Sequence, residues 1–125
     1  MSTAAQAAIC YGHDHPFAIE PVTLDTPRAD EILVRIHACG ICHTDMAARD
    51  RQLPTPLPMV LGHEGAGVVE AVGTGITHVK PGDRVIMSFN SCGHCPSCEI
   101  DKPTYCYNFV PENWIGTRAD GSPTT

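Results

Sequence analysis

A single, turn-rich, mainly β domain with few long helices is the fold class this sequence predicts, and three observations predict it. The 125 residues suffice for one domain that buries roughly 65% of its unfolded surface, and not for two. The 11 glycines and 11 prolines exceed their usual joint share of roughly 12%, yet form no collagen period and no low-complexity tract. Between them run short apolar and β-branched segments of strand length.

The first strand is expected over Ala7 to Tyr11 and the second over Phe17 to Leu24. Glu31 to Ala38 makes a third, only partly alternating in its Leu33-Val34-Arg35-Ile36 run. The one helical stretch is His43 to Arg51, with Thr44 or Asp45 as its cap and Pro54 to end it. Pro54, Pro56 and Pro58 then impose an extended connection. Gly67 to Gly73 reads as a strand covered on both faces, because Val68-Val69-Glu70-Ala71-Val72 is nearly all apolar. A tight turn, Lys80-Pro81-Gly82-Asp83, feeds the last strand, Asp83 to Phe89. From Asn108 to Thr125 the periodicity is weak, and a loosely packed tail is expected.

Eight basic against 14 acidic side chains give a formal charge of -6. A nucleic-acid groove or an anionic membrane needs a basic face, so neither is expected as a partner. No apolar run reaches the roughly 18 residues of a membrane span, and Met1 to Gln6 has neither a basic nor an apolar leader segment, so a cytoplasmic protein is expected. Seven cysteines are present, four of them between Cys92 and Cys106. In a reducing compartment such clustering points to metal before disulfide.

Cys92, Cys95, Cys98 and Cys106 form a C-x2-C-x2-C-x7-C lobe whose thiolates can converge on one tetrahedral ion from a single loop. That is the pattern of a closed, structural zinc site, with two disulfides or an iron–sulfur cluster as the alternatives. His94, between ligands, is read as a solvated loop histidine. A second constellation pairs Cys42, in Gly40-Ile41-Cys42-His43-Thr44-Asp45, with His63, in Gly62-His63-Glu64-Gly65-Ala66-Gly67. A soft thiolate and a borderline nitrogen can hold a zinc that still lacks a third protein ligand and an exchangeable fourth, with Asp45 accepting the spare N–H of His63. By themselves, a cysteine and a histidine so spaced are more often core residues than ligands.

These segments in order, with Val79-Lys80-Pro81-Gly82-Asp83-Arg84-Val85 and the four-cysteine lobe, resemble the N-terminal part of zinc-dependent alcohol dehydrogenases of the medium-chain dehydrogenase/reductase superfamily. Cys42-His43-Thr44-Asp45 followed by Arg49-Asp50-Arg51 and Leu57 to Glu64 is most similar to the aryl (benzyl) alcohol dehydrogenase branch. The resemblance implies a GroES-like, partly open β-barrel over residues 1–125, with short helices and a zinc lobe at 92–106. It implies that Cys42 and His63 are two of three protein ligands of a catalytic zinc, beside the structural zinc of the lobe. Thr44 would hydrogen-bond the alcohol and pass its proton toward the nicotinamide ribose, and His43 would touch the pyrophosphate of NAD or NADP. Asp45 would orient His63, and Glu64 would stand behind the metal as an alternative ligand. The implied reaction is oxidation of a small alcohol to an aldehyde or ketone by hydride transfer, in full-length relatives that are homo-oligomeric.

Three departures qualify what is implied. No cysteine matches the third ligand, since Cys10 and Cys39 lie outside its motif. No strand leads into G-x-G-x-x-G, so the Rossmann domain is absent. Ala47 stands where many relatives carry a histidine after the relay hydroxyl. The chain therefore reads as a partial dehydrogenase, inactive alone, with a free-standing structural zinc-binding module as the alternative. Cys10 and Cys39 are expected as small core hydrophobes, His13 and His15 in a polar loop, and Trp114 with Phe109 as packing. Leu53 and Ser88-Phe89 fall where relatives line the substrate pocket, with packing the preferred reading.

Overall fold

Along β1 (Thr3–Cys10) half-buried and exposed residues alternate from Thr3 to Ala7, as expected of a strand with one face on a core, and the half-buried Ala8 and Ile9 then lead to the buried Cys10. The computed structural model, which describes residues 2–123, pairs β1 antiparallel with β2 (Ala18–Leu24), from Thr3↔Leu24 to Ile9↔Ala18. β3 (Ile32–Cys39) leads through a short loop into α1 (His43–Arg49). β4, only Met59–Val60, adds to the free edge of β1. β5 (Gly65–Val72) lies between β3 and β6 (Arg84–Ile86), so the strands form two sheets, β2-β1-β4 and β3-β5-β6. The mainly β reading therefore holds, and the described residues contain no Rossmann unit.

The β3–β5 ladder does most to position the functional residues. It runs from Ile32↔Val72 to Cys39↔Gly65 with two register shifts, and each shift bends and twists the pair. Gly67 is needed in this ladder because a Cβ there would overlap the carbonyl of Arg35. Val69, in the middle of β5, is 2% exposed and is the largest fully buried side chain. At the Cys39 end the backbone N–H of Gly40 donates to the Glu64 carbonyl at 3.1 Å. That bond holds the loop before α1 against the loop before β5.

Two expectations about compactness and packing are corrected. The chain exposes 8587 Å², whereas a compact protein of 13.4 kDa exposes roughly 6500 Å². Burial is thus roughly 56% of the unfolded surface rather than 65%. The reason is architectural: the sheets share no strand, and an apolar concavity of about 1260 Å³ opens between them, walled by Ala5, Ala7, Val22, Leu33, Val34 and Leu57.

The tail is tied down where loose packing was expected. It contains α3 (Phe109–Asn113), and beyond it Arg118 donates to Glu31 and to Asp25 while Arg28 pairs with Asp120. The Arg118 side chain is only 8% exposed, and its hydrogen bonds hold the Glu31 carboxyl below its ordinary value of 4.5. A carboxylate depressed in the folded state stabilises above its unfolded pKa and loses that contribution as pH falls through the folded one. Arg118→Leu is therefore expected to lower Tm most at neutral pH, with the gap to the parent chain closing as Glu31 protonates in acid. Thermal melts from pH 7 to 3 check this, and a constant gap would assign Arg118 to packing alone.

Candidate metal centres

The lobe is made by short-range turns. Gly93 takes a positive φ of 76°, which glycine adopts without strain. Pro96 opens α2 (Pro96–Glu99) at a position that needs no backbone donor. A 3-10 turn at Pro103–Tyr105 then returns the chain so that Cys106 meets the other three cysteines. The sulfurs of Cys92, Cys95, Cys98 and Cys106 all lie within 4.8 Å of one another, and Cys95 Sγ is 3.5 Å from Cys98 Sγ. Zinc–sulfur bonds of about 2.3 Å in a tetrahedron require sulfurs about 3.8 Å apart, so the donor set and its size fit zinc.

All seven cysteines are free thiols. The backbone N–H groups of Cys92 and Tyr107 donate to Cys106 Sγ and Cys95 Sγ at 3.4 and 3.5 Å, as amides do around charged thiolates. Hydrogen bonding, chiefly from the backbone at His94, brings the Cys92 thiol down to about 6. Burial pushes Cys98 up to about 11. His94 is exposed and turns Nδ1 to the Cys92 carbonyl at 2.7 Å, away from the sulfur set.

The second cluster forms where the ends of β3 and β5 meet. One ligand atom each from Cys42, His63 and Glu64 lies within 4.8 Å of the other two. Gly40 leaves room for the carboxylate, since a Cβ there would overlap Glu64 Oε2. Cys42 N-caps α1, and its backbone N–H donates to the Asp45 carboxylate at 2.9 Å. Asp45 thus caps from the third helical position, whereas the sequence pointed to Thr44 or Asp45 as the cap residue itself. Asp45 is 8% exposed and places Oδ1 3.6 Å from His63 Nδ1, beyond hydrogen-bond length but on the side of the ring away from the cluster. His63 Nε2 stands 3.9 Å from Glu64 Oε1. The Cys42 thiol donates to Thr44 Oγ1 at 3.4 Å, and Thr44 first, then the His63 ring, hold Cys42 below its ordinary 9.0. His43, the first residue of α1, is exposed and lies outside both clusters.

Beside His63 is a pocket of about 90 Å³ lined by Thr44, Leu61, His63, Phe89, Asn113 and Trp114, among others. Phe89 stacks on His63 with centroids 5.8 Å apart and planes 15° apart, and Phe109 packs on Phe89 at 5.1 Å. Phe109 serves in packing, as expected, against Phe89, and Trp114 lines the pocket. Leu53 does not line it. Cys10 is 1% exposed, as a core residue should be, but Cys39 is exposed, its thiol turned to the Gly40 carbonyl. The sequence reading missed α3 and its Asn113, for which the only local signal is an Asn five residues beyond a helix-starting Asn108.

Residues 28–124 match the alcohol dehydrogenase GroES-like domain family. Geraniol dehydrogenase of Castellaniella defragrans is 51% identical over 119 residues, covering 94% of this chain and 32% of that protein. Among solved structures, an alcohol dehydrogenase zinc-binding domain protein from Burkholderia ambifaria superposes with a TM-score of 0.95 at 47% identity, over 99% of this chain and 34% of the other. Benzyl alcohol dehydrogenase from Acinetobacter calcoaceticus gives a TM-score of 0.94 at 38% identity, over 98% and 34%. The chain thus spans about a third of the length of these relatives. With a matching fold over nearly its whole length and the family match over most of it, the chain belongs to the alcohol dehydrogenase GroES-like domain family.

Proposed function

We propose that residues 1–125 are the catalytic-domain portion of a zinc-dependent, NAD(P)-linked alcohol dehydrogenase, with residues 92–106 as its structural zinc lobe. The observation that carries this reading is the meeting of Cys42, His63 and Glu64 with the Thr44 hydroxyl 3.4 Å from Cys42 Sγ at the mouth of a pocket. A purely structural zinc module has no use for a hydroxyl beside an incomplete ligand set. Thiolate, imidazole and carboxylate together suit zinc in an open site. Bound there, zinc would supply Lewis acidity that lowers the pKa of the alcohol and favours loss of hydride to the nicotinamide.

The chain's own residues supply the rest. Hydrogen bonding at Thr44 holds the Cys42 thiol below its ordinary value; with Cys42 ionised and held by a metal, the Thr44 hydroxyl would turn from the sulfur, accept the alcohol proton on Oγ1 and pass its own hydrogen on. Asp45 favours the imidazole tautomer with hydrogen on Nδ1, leaving Nε2 facing Cys42 and Glu64. His43, exposed at the start of α1, is the residue for the cofactor pyrophosphate. Phe89, Trp114 and Leu61 give the pocket an apolar wall, suited to the apolar tail of a primary alcohol such as those named for the two relatives above. A reducing, cytoplasmic setting suits the seven free thiols, and the complete enzyme is expected to be a homo-oligomer.

The test joins the 125 residues to the cofactor-binding remainder of a close relative. The joined enzyme is expected to reduce NAD or NADP in an alcohol-dependent way, and the 125 residues alone are not, because hydride transfer needs the nicotinamide held against the reacting carbon. Thr44→Ala should slow hydride transfer by roughly 100-fold or more, while Thr44→Ser, which keeps the hydroxyl, should slow it far less. Equal losses for the two variants would assign Thr44 to packing and remove the proton path.

A further inference from the structure

His63 has neighbours on two sides, and only one of them belongs to the motif. Asp45 faces Nδ1 from α1. The flat face of the ring rests on Phe89, which follows β6 and is itself 54% exposed. An exposed phenylalanine in a loop has little of its own to keep it against one ring. What fixes it comes from α3. The Asn90 backbone N–H donates to Asn113 Oδ1 at 2.7 Å, and Asn113 Nδ2 donates back to the Asn90 carbonyl at 3.0 Å. The same Nδ2 also donates to the Phe109 carbonyl at 2.9 Å, so one amide uses its acceptor and both donor hydrogens, and no other side chain of that size offers this set. Asn90 Nδ2 adds a bond to Glu112 at 2.6 Å, and the Phe109 ring packs tilted against Phe89 with centroids 5.1 Å apart.

We propose that Asn113 is a positioning residue for the Cys42–His63–Glu64 centre: by clasping the main chain of Asn90 it holds the Phe89 ring on His63 and so fixes the plane of the imidazole. The inference rests on the metal-centre reading above. Turning an imidazole about its bonds moves Nε2 off a ligand position, and groups that orient a ligating histidine commonly change metal affinity by tenfold or more when removed. The hydrogen bonds of Asn113 go to Asn90 and Phe109 and not to Cys42, His63 or Glu64, so its effect on the centre is expected to travel through Phe89.

The experiment uses the 125-residue chain with zinc in the lobe, titrated with Co²⁺, alongside Asn113→Leu, Phe89→Leu, the double variant and Phe89→Trp. Asn113→Leu and Phe89→Leu are each expected to weaken Co²⁺ binding at Cys42 on the order of tenfold and to leave the lobe metal in place. The double variant should bind within about twofold of the weaker single one, since both act along one path, and Phe89→Trp, which restores a stacking ring, should recover affinity. A second readout needs no metal: the His63 ring protons, shifted by the Phe89 ring current, should move by similar amounts in both single variants. Unchanged His63 shifts and Co²⁺ affinity in Asn113→Leu, or additive losses in the double variant, would overturn the proposal. Absence of Co²⁺ binding at Cys42 in the parent chain would instead sink the metal-centre reading, and the His63 shifts would still decide whether the clasp acts on that ring.

Discussion

Cys98→Ser is expected to leave the chain without its lobe zinc and to unfold residues 92–106, as the loss of any of the four thiolates would. Structural zinc binds zinc-finger peptides with an apparent free energy of about 10–16 kcal/mol at neutral pH, and where no site is preformed that binding energy drives the folding. The lobe has little else to hold it: within it only Cys95 and Cys106 are buried among apolar residues, while Ile100, Tyr105 and Tyr107 are 64%, 71% and 73% exposed. Its helix α2 has four residues, too short to persist unaided. The thiols also set a pH dependence. Metal competes with protons, so affinity falls as pH falls wherever a ligand is protonated in the free lobe. Cys98, raised to about 11, must release a proton on binding throughout the neutral range, giving at least about tenfold in affinity per pH unit, and more for every other thiol that is still protonated. Cys92, at about 6, adds to the slope only below that value. Metal analysis after purification under reducing conditions reads the first outcome, and chelator competition between pH 5 and 8 reads the second. Full zinc content in Cys98→Ser, or a flat pH profile, would exclude a four-thiolate site.

The five strands read from the sequence are all present, because each carries its evidence locally in β-branched runs between glycines and prolines. Their ends moved where pairing, not composition, decides the boundary. β1 starts at Thr3 since Ala4 and Ala5 pair with Thr23 and Val22, although alanines make a weak strand signal. β6 stops at Ile86, three residues before the expected end at Phe89, as Ala66↔Ile86 is its last rung. β4 was unreadable: two residues after three prolines form a strand only because β1 offers an edge. The tail hid its structure for a similar reason. Arg118 meets Glu31 across 87 positions, and Asn113 meets Asn90 across 23, distances at which no periodicity carries information. The four donors of the lobe were legible from chemistry and spacing, whereas Cys42, His63 and Glu64 stood out only through the family resemblance, and the Asn113 and Trp114 part of the wall around His63 gains meaning only once α3 folds back.

Cys42→Ala is expected to abolish a second, weaker metal-binding phase and to leave the first untouched. Two cages of different completeness predict this. In the lobe four sulfurs from one short segment surround the ion. At the other centre the ligand atoms come from two separate loops, and one of them, Glu64, has a side chain 48% exposed, so water competes for its position. Such a site binds less tightly, since the ion must order the loops that hold it and leave positions open to exchange. Cobalt makes the difference visible, because thiolate-to-metal charge transfer reports each sulfur-containing site. Titration of the metal-free chain should show a tight phase followed by a weak one, and a mild chelator should empty only the second. Cys39 is the thiol to watch: it lies outside the Cys42 set, with its sulfur on the Gly40 carbonyl at 3.5 Å, and Cys39→Ser should leave both phases intact. A single tight phase taking up two metals, or loss of the weak phase in Cys39→Ser, would mean that Cys39 completes the centre and that Glu64 does not.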